Sequence, residues 1–446
     1  MEVIMNKIYG SEVFIIVVII FLAVPDIASA VLPGTLAEAS SEGNLSVGAA
    51  RVNITPPSDA ALPMSGYGGR DDGHTGIHDS LYYRVIVVDD GVTQGAIIVE
   101  ESIGITDQWW EEISRRIESE TGIPRDNVLL AGTHTHAAPT PIHRLDDPSE
   151  NMVAYSRDLS EKVVQAVQLA KSSLSPARMG VGRGHANINI NRVARTPQGG
   201  HWIGFNQDGP SDKTVHVVKF ERLNGEPIAI LINYGVHAVV GQSRNFLISA
   251  DLAGAISRYV EEYYDNEVVV PWTSGTAGDQ NPIERAPNEN LRDSGRIPPL
   301  TTQGMIVGDE AIRVAENMDR MTRWADIRGL QKVVSVPGKE RNEFDPTGNY
   351  TFTEADPLEI RISLLMINNL ALTGVSGEVL TRIGLRLKEE SPFNETIMIT
   401  HCNGGSGYLP DDKAYENPGY EIITTRAMSG AEDAIVNGFL ELMERR

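Results

Sequence analysis

From Val47 onward, short apolar runs bounded by turn residues alternate with longer stretches in which apolar positions recur every three or four residues. The first pattern reads as strand and the second as helix. On those rules Tyr83–Val88 and Gln94–Val99 are adjacent strands divided by Asp89-Asp90-Gly91, a hairpin signal. Trp109–Ser119 is a helix with Ile113 and Ile117 on one side, ended by Thr121-Gly122-Ile123-Pro124. Val128–Gly132 is the next strand, and Arg157–Ser173 the next helix, with Val163, Val164, Val167 and Ala170 apolar. Thr214–Phe220 and Ile228–Tyr234 predict strands, Ser249–Tyr264 a helix, and Val268–Val270 a strand leading into the polar stretch Thr273–Pro282. Gly304–Met318 predicts a helix, Leu330–Val336, Glu354–Met366 and Leu370–Val375 strands, and Val379–Lys388 and Thr424–Met443 the last helices. Ile283–Pro299, with its prolines and asparagines, reads as a long surface loop and the one weak candidate for a domain boundary. The expected fold is α/β, with mixed twisted sheets flanked by helices in a single large domain over residues 47–446.

The N-terminus departs from this texture. Val13–Val24 is an apolar run of 12 residues, short for a bilayer span, and Ala28-Ser29-Ala30 is the small-residue pattern that signal peptidase accepts. A signal peptide over residues 1–30 and a flexible leader over 31–46 are expected, with the folded part outside the cytoplasm whether the segment is cleaved or kept as an anchor. The single cysteine, Cys402, excludes an intramolecular disulfide and every Cys-rich zinc module, so any metal site must rest mainly on His, carboxylate or hydroxyl ligands. A net charge of -22 disfavours a protein that holds nucleic acid or an anionic bilayer by bulk charge. Peripheral membrane contact would then depend on a local patch, and self-association is left open.

Candidate chemistry collects at predicted strand ends. His134 and His136, in Thr133-His134-Thr135-His136, are spaced so that both can line one pocket, either holding one metal or supplying a ligand and a proton-transfer group. His237 follows the Ile228 strand, and Glu378 lies between a strand and a helix, where the helix N-terminus stabilises a carboxylate. Each alone reads first as a satisfied core histidine or a surface glutamate; together with His134 after separate strands they are more specific, because strand ends of one sheet converge. Asp279 and Asn281 form a polar loop that is a turn by itself and at a sheet edge can orient water or donate to an oxyanion. Tyr408 follows the flexible Gly404-Gly405-Ser406-Gly407 run, which can carry its hydroxyl towards a metal, and Arg192 can present a guanidinium to a carbonyl or make a structural ion pair. There is no Gly-x-Ser-x-Gly elbow, His-Glu-x-x-His or Walker motif, which removes most support for serine-triad hydrolysis and nucleotide binding.

These stretches, with Ile54-Thr55-Pro56, Ser65-Gly66-Tyr67, Gly76-Ile77-His78, Asn191-Arg192, Asn233-Tyr234-Gly235-Val236-His237, Ser376-Gly377-Glu378 and Tyr420-Glu421, resemble the neutral/alkaline, non-lysosomal ceramidase family. The resemblance implies one zinc ion per chain held by His134, His237, Glu378 and Tyr408, with His136 as proton shuttle, Arg192 positioning the reacting group, and hydrolysis of an amide bond. Two departures stand out. Asn281 takes the place of the family's serine in Gly278-Asp279-Gln280-Asn281-Pro282. The resemblance also calls for a separate C-terminal β-sandwich, and the sequence is expected to be a short member lacking it. The expected activity is zinc-dependent cleavage of a ceramide-like or other N-acyl amide. The alternatives are an esterase or lactonase using the same metal water, or a non-catalytic lipid- or glycan-binding surface protein.

Overall fold

Eight strands build the larger sheet, in the order Trp272–Ser274, Pro227–Tyr234, Thr214–Arg222, Ser175–His185, Ser46–Asn53, Tyr82–Asp89, Gln94–Glu100 and Val128–Gly132. The computed structural model describes residues 43–68, 70–286, 297–341 and 350–445. Pairing is antiparallel through the middle of this sheet and parallel at both edges, where Val128–Gly132 follows Gln94–Glu100 and Trp272–Ser274 follows Pro227–Tyr234. A second sheet orders Ile327–Lys339, Glu354–Ile367, Leu370–Val375 and Glu395–Ile399, with the last pair parallel. Both sheets are mixed, as expected.

Alternation along the strands sets the layers. Tyr83, Val85 and Val87 pack on the helices Asp107–Thr121 and Glu150–Ser172. Ile86 and Val88, on the opposite face, pack with Leu365, Leu372 and Ile399 of the smaller sheet. Burial on both faces is why Tyr83–Val88 reads as a continuous apolar run rather than an alternating one. Val217, Ile230 and Ile232 meet the helices Asp251–Tyr263 and Pro298–Glu316, and the far face of the smaller sheet is covered by Thr381–Glu390 and Ala431–Met443. The domain is thus helix, sheet, sheet, helix.

Several boundaries differ from the expectation for identifiable reasons. Val268–Val270 is not a strand: Val269 makes one isolated bridge to Ala229, and Pro271, which has no N–H to give a ladder, separates it from the true strand at Trp272. The expected helix Thr424–Met443 begins only at Ala431, after Gly430 takes φ 114, and a separate short helix, Tyr420–Thr424, precedes it. The Arg157 helix begins earlier, at Glu150, because the Ser149 side chain caps it by accepting from the Met152 N–H. Pro298 already opens a helix, and the rest of the expected loop from 287 to 296 lies outside the described residues, as do the expected signal segment and most of the leader. Among the described residues no helix is long and apolar enough to cross a membrane.

The larger sheet also curls until its two edges meet one segment. Thr400 donates its N–H to the Ser274 carbonyl at 3.0 Å, Asn403 donates to the Leu130 carbonyl at 2.9 Å, and Cys402 bridges to Ala131. Residues 400–403 leave the last strand of the smaller sheet, so this seam joins the ends of both sheets at one place.

Candidate metal centre

That place gathers four strand-end side chains. His134 follows Val128–Gly132, His237 follows Pro227–Tyr234, Glu378 follows Leu370–Val375, and His401 follows Glu395–Ile399. Convergence at the edge of one sheet was the expectation; two sheets contribute, and the two histidines of the larger one come from near its opposite edges. His134 and His401 both hold left-handed backbone, φ 62 and 54. That conformation is uncommon for a residue with a Cβ and is concentrated at functional sites.

The hydrogen bonds define what these side chains present. His134 Nδ1 donates to the Ile103 carbonyl at 2.8 Å, and His237 Nδ1 to the Ala277 carbonyl at 2.7 Å. With the protons on Nδ1, each Nε2 carries a lone pair. Both Nε2 atoms face the same Glu378 oxygen, Oε2, at 3.3 Å and 3.4 Å, and that buried oxygen has no hydrogen-bond donor. Three electron pairs therefore converge with no proton among the three atoms themselves, an arrangement that a bound cation resolves. Donors of this type, imidazole nitrogen and carboxylate oxygen, suit zinc. Burial, helped by the Arg192 guanidinium, pushes His237 down to about 4 and keeps its imidazole neutral, the form that binds metal.

His136 Nε2 lies 3.1 Å from His134 Nε2, and burial first, then the neighbouring histidines, push it well below the usual imidazole range. Arg192 sits behind the cluster. Its Nε donates to Glu421 Oε1 at 2.7 Å, its Nη2 to the Tyr408 hydroxyl at 2.9 Å and its Nη1 to Asn281 Oδ1 at 3.4 Å, while Nη1 also lies 3.2 Å from His237 Nε2. Tyr408 is placed by backbone pairing, since Tyr408–Leu409 and Glu378–Val379 form a two-stranded parallel ladder with Glu378 opposite Tyr408. Burial keeps the Tyr408 phenol well above its ordinary range, with Arg192 opposing. A cavity of about 410 Å³ opens over His134, His136, Glu378, His401 and Tyr408.

Of the residues singled out from the sequence, Asp279 is placed apart. Its carboxylate accepts from Asn191 Nδ2 at 2.8 Å and from the Thr381 hydroxyl at 2.6 Å, and it lines a different cavity, while its carbonyl fixes the Arg192 N–H at 2.8 Å. Asn281 reaches the cluster only through Arg192. His401 was not anticipated: its ring stacks on His134 with centroids 3.9 Å apart. The rule that found the others would have found it, because Ile397-Met398-Ile399 is an apolar run ending just short of a histidine and followed by Gly404-Gly405.

An α/β domain with a His–His–Glu cluster at the joined ends of two sheets carries a candidate metal centre there. The family model described as "Neutral/alkaline non-lysosomal ceramidase, N-terminal" matches residues 45–290, and the chain belongs to that family. Neutral ceramidase A of Dictyostelium discoideum is 26% identical over 404 residues, covering 85% of this chain and 52% of that protein. The neutral ceramidase of Mycobacterium tuberculosis is 26% identical over 282 residues, 57% of this chain and 42% of that protein. The chain thus spans about half the length of the curated relatives it matches over most of its own length. A crystal structure of neutral ceramidase from Pseudomonas aeruginosa superposes with a TM-score of 0.74 at 18% identity, covering 90% of this chain and 75% of that one, so the two share a fold.

Proposed function

We propose that the chain is a secreted zinc-dependent hydrolase that cleaves the amide bond of a ceramide-like or other N-acyl substrate. The observation that carries this reading is the convergence of His134 Nε2, His237 Nε2 and Glu378 Oε2 with no donor among them. Family membership supports the substrate class, and the apolar run before Ala28-Ser29-Ala30 supports export through a signal at residues 1–30. Zinc held by His134, His237, Glu378 and Tyr408 would supply Lewis-acid activation of a water for attack on the substrate carbonyl.

The chain's own residues do the rest. His136 lines the cavity, and its ring, neutral at rest, takes a proton and returns it to the leaving nitrogen. Arg192 fixes the Tyr408 hydroxyl from behind and brings a positive charge that cannot be lost at working pH. Asn281 contributes by holding that guanidinium, a task an amide oxygen performs without a hydroxyl.

Metal analysis of the wild type and His134→Ala, paired with matched amide and ester substrates before and after chelation, tests the proposal. One zinc per chain, lost together with amide turnover in the variant and restored to the chelated wild type by added zinc, is the expected result. Full activity in metal-free His134→Ala protein overturns it. A higher kcat/KM on the ester assigns the esterase reading, and zinc without turnover on either substrate assigns the non-catalytic one.

A further inference from the structure

We infer that His401 is an additional protein ligand of the metal centre, making it a five-donor site with His134, His237, Glu378 and Tyr408. The inference rests on the metal reading above and extends its ligand set. Two overlapping groups of donor atoms lie within 4.8 Å of one another: His134, His136 and His237 in one, and His134, Glu378 and His401 in the other. They share His134, so they surround one ion position rather than two. Donors bound at about 2.1 Å to a common ion sit roughly 3 to 3.5 Å apart, so His401 reaches the shared ion when its ring turns out of the stack with His134.

The backbone shows that His401 is built into the centre. Its N–H donates to the Gly377 carbonyl at 3.2 Å, one residue before Glu378, and its carbonyl accepts from the Gly132 N–H at 3.1 Å, two residues before His134. One peptide segment thereby fixes the spacing of two ligands. His401 itself adopts φ 54, a left-handed conformation held by those bonds. A core histidine needs neither the strained backbone nor a place on the cavity wall, and His401 has both. His136 is only half-buried and has its Nε2 aimed at His134 Nε2, which suits proton transfer rather than a fixed ligand position.

A five-donor set favours ions that accept five or six ligands, and it leaves water a sixth position rather than a fifth. The test compares the full-length wild type with His401→Leu and His401→Gln by two readouts that need no turnover. One is zinc affinity by chelator competition; the other is the visible spectrum of the cobalt(II)-substituted protein, whose band intensity rises as the coordination number falls. Zinc affinity weakened roughly tenfold or more in both variants is expected, since even the outer partners of metal ligands are worth about that much. The cobalt bands should intensify in His401→Leu. Thermal melting of the metal-free proteins establishes that the variants fold, and His401→Gln keeps the polarity and approximate size if the leucine variant does not. Zinc affinity within about twofold of wild type and an unchanged cobalt spectrum overturn the inference while leaving the metal reading intact. A wild type that binds neither ion overturns both.

Discussion

Arg192 is fixed by residues far away in sequence, and each contact uses a different edge of one planar group. Glu421 takes Nε, Tyr408 takes Nη2, and Asn281 takes Nη1, so the guanidinium has no freedom to turn. The Arg192–Glu421 pair is 5% and 3% exposed, which puts it where removing one partner strands the other's charge. Glu421→Gln should therefore lower stability by about 3 kcal/mol. The urea midpoint reads this, and a change below about 1 kcal/mol would mean that Tyr408 and Asn281 alone hold the arginine. At this scale the sequence was legible where one rule applied: a strand, then a small residue, then His or Glu. That rule singles out His134, His237 and Glu378, which the structure brings together. It left open whether Asp279 is part of a turn or orients water at the centre, because whether a carboxylate faces inward or binds Asn191 and Thr381 depends on partners about 90 and 100 residues away.

The seam between the sheets depends on a single side chain doing what a neighbouring strand would do. Asn403, fully buried, accepts from the Leu130 N–H at 2.8 Å and donates to the Val128 carbonyl at 2.8 Å and the Ser363 hydroxyl at 2.9 Å. Val128–Gly132 is an edge strand, and these bonds satisfy groups that would otherwise be buried unpaired. Asn is also among the few residues that tolerate the φ of 59 found there. Asn403→Ala should destabilise the fold by roughly 2 to 4 kcal/mol, from two stranded backbone groups and a small cavity. Slowed amide exchange at Leu130 in the wild type, lost in the variant, would place the effect at the seam; equal urea midpoints would remove Asn403 from that role. The large elements were legible because they are apolar on a regular period, as in Gln94–Val99 and Trp109–Ser119. The pair Asn189–Arg195 and His201–Asn206, which carries Arg192, is not apolar on any period, being half-exposed and held by pairing to Gln280–Pro282, so no pattern announced it.

Across the whole molecule, 60 acidic residues against 38 basic ones leave a net charge of -22, while the candidate centre itself draws on neutral imidazoles and one carboxylate. That field does not act on an uncharged amide; it acts on the surface that carries the amide. The Debye length shrinks from about 30 Å at 0.01 M salt to about 8 Å at physiological ionic strength, so repulsion from an anionic bilayer is strong in the first condition and weak in the second. For a ceramide-like amide dispersed in vesicles, turnover at low salt should be roughly tenfold slower on phosphatidylserine-rich vesicles than on phosphatidylcholine, because encounter rates follow the summed field. Raising the salt should close that gap while leaving the rate on phosphatidylcholine nearly unchanged, which separates an encounter effect from a change in the centre. Faster turnover on the anionic vesicles at low salt would show that a local basic patch, rather than the net charge, governs the approach to lipid. In that case the patch must lie near the mouth of the cavity, where Arg144 and Arg341 already line the wall, and charge reversal at those two arginines would be the way to find it.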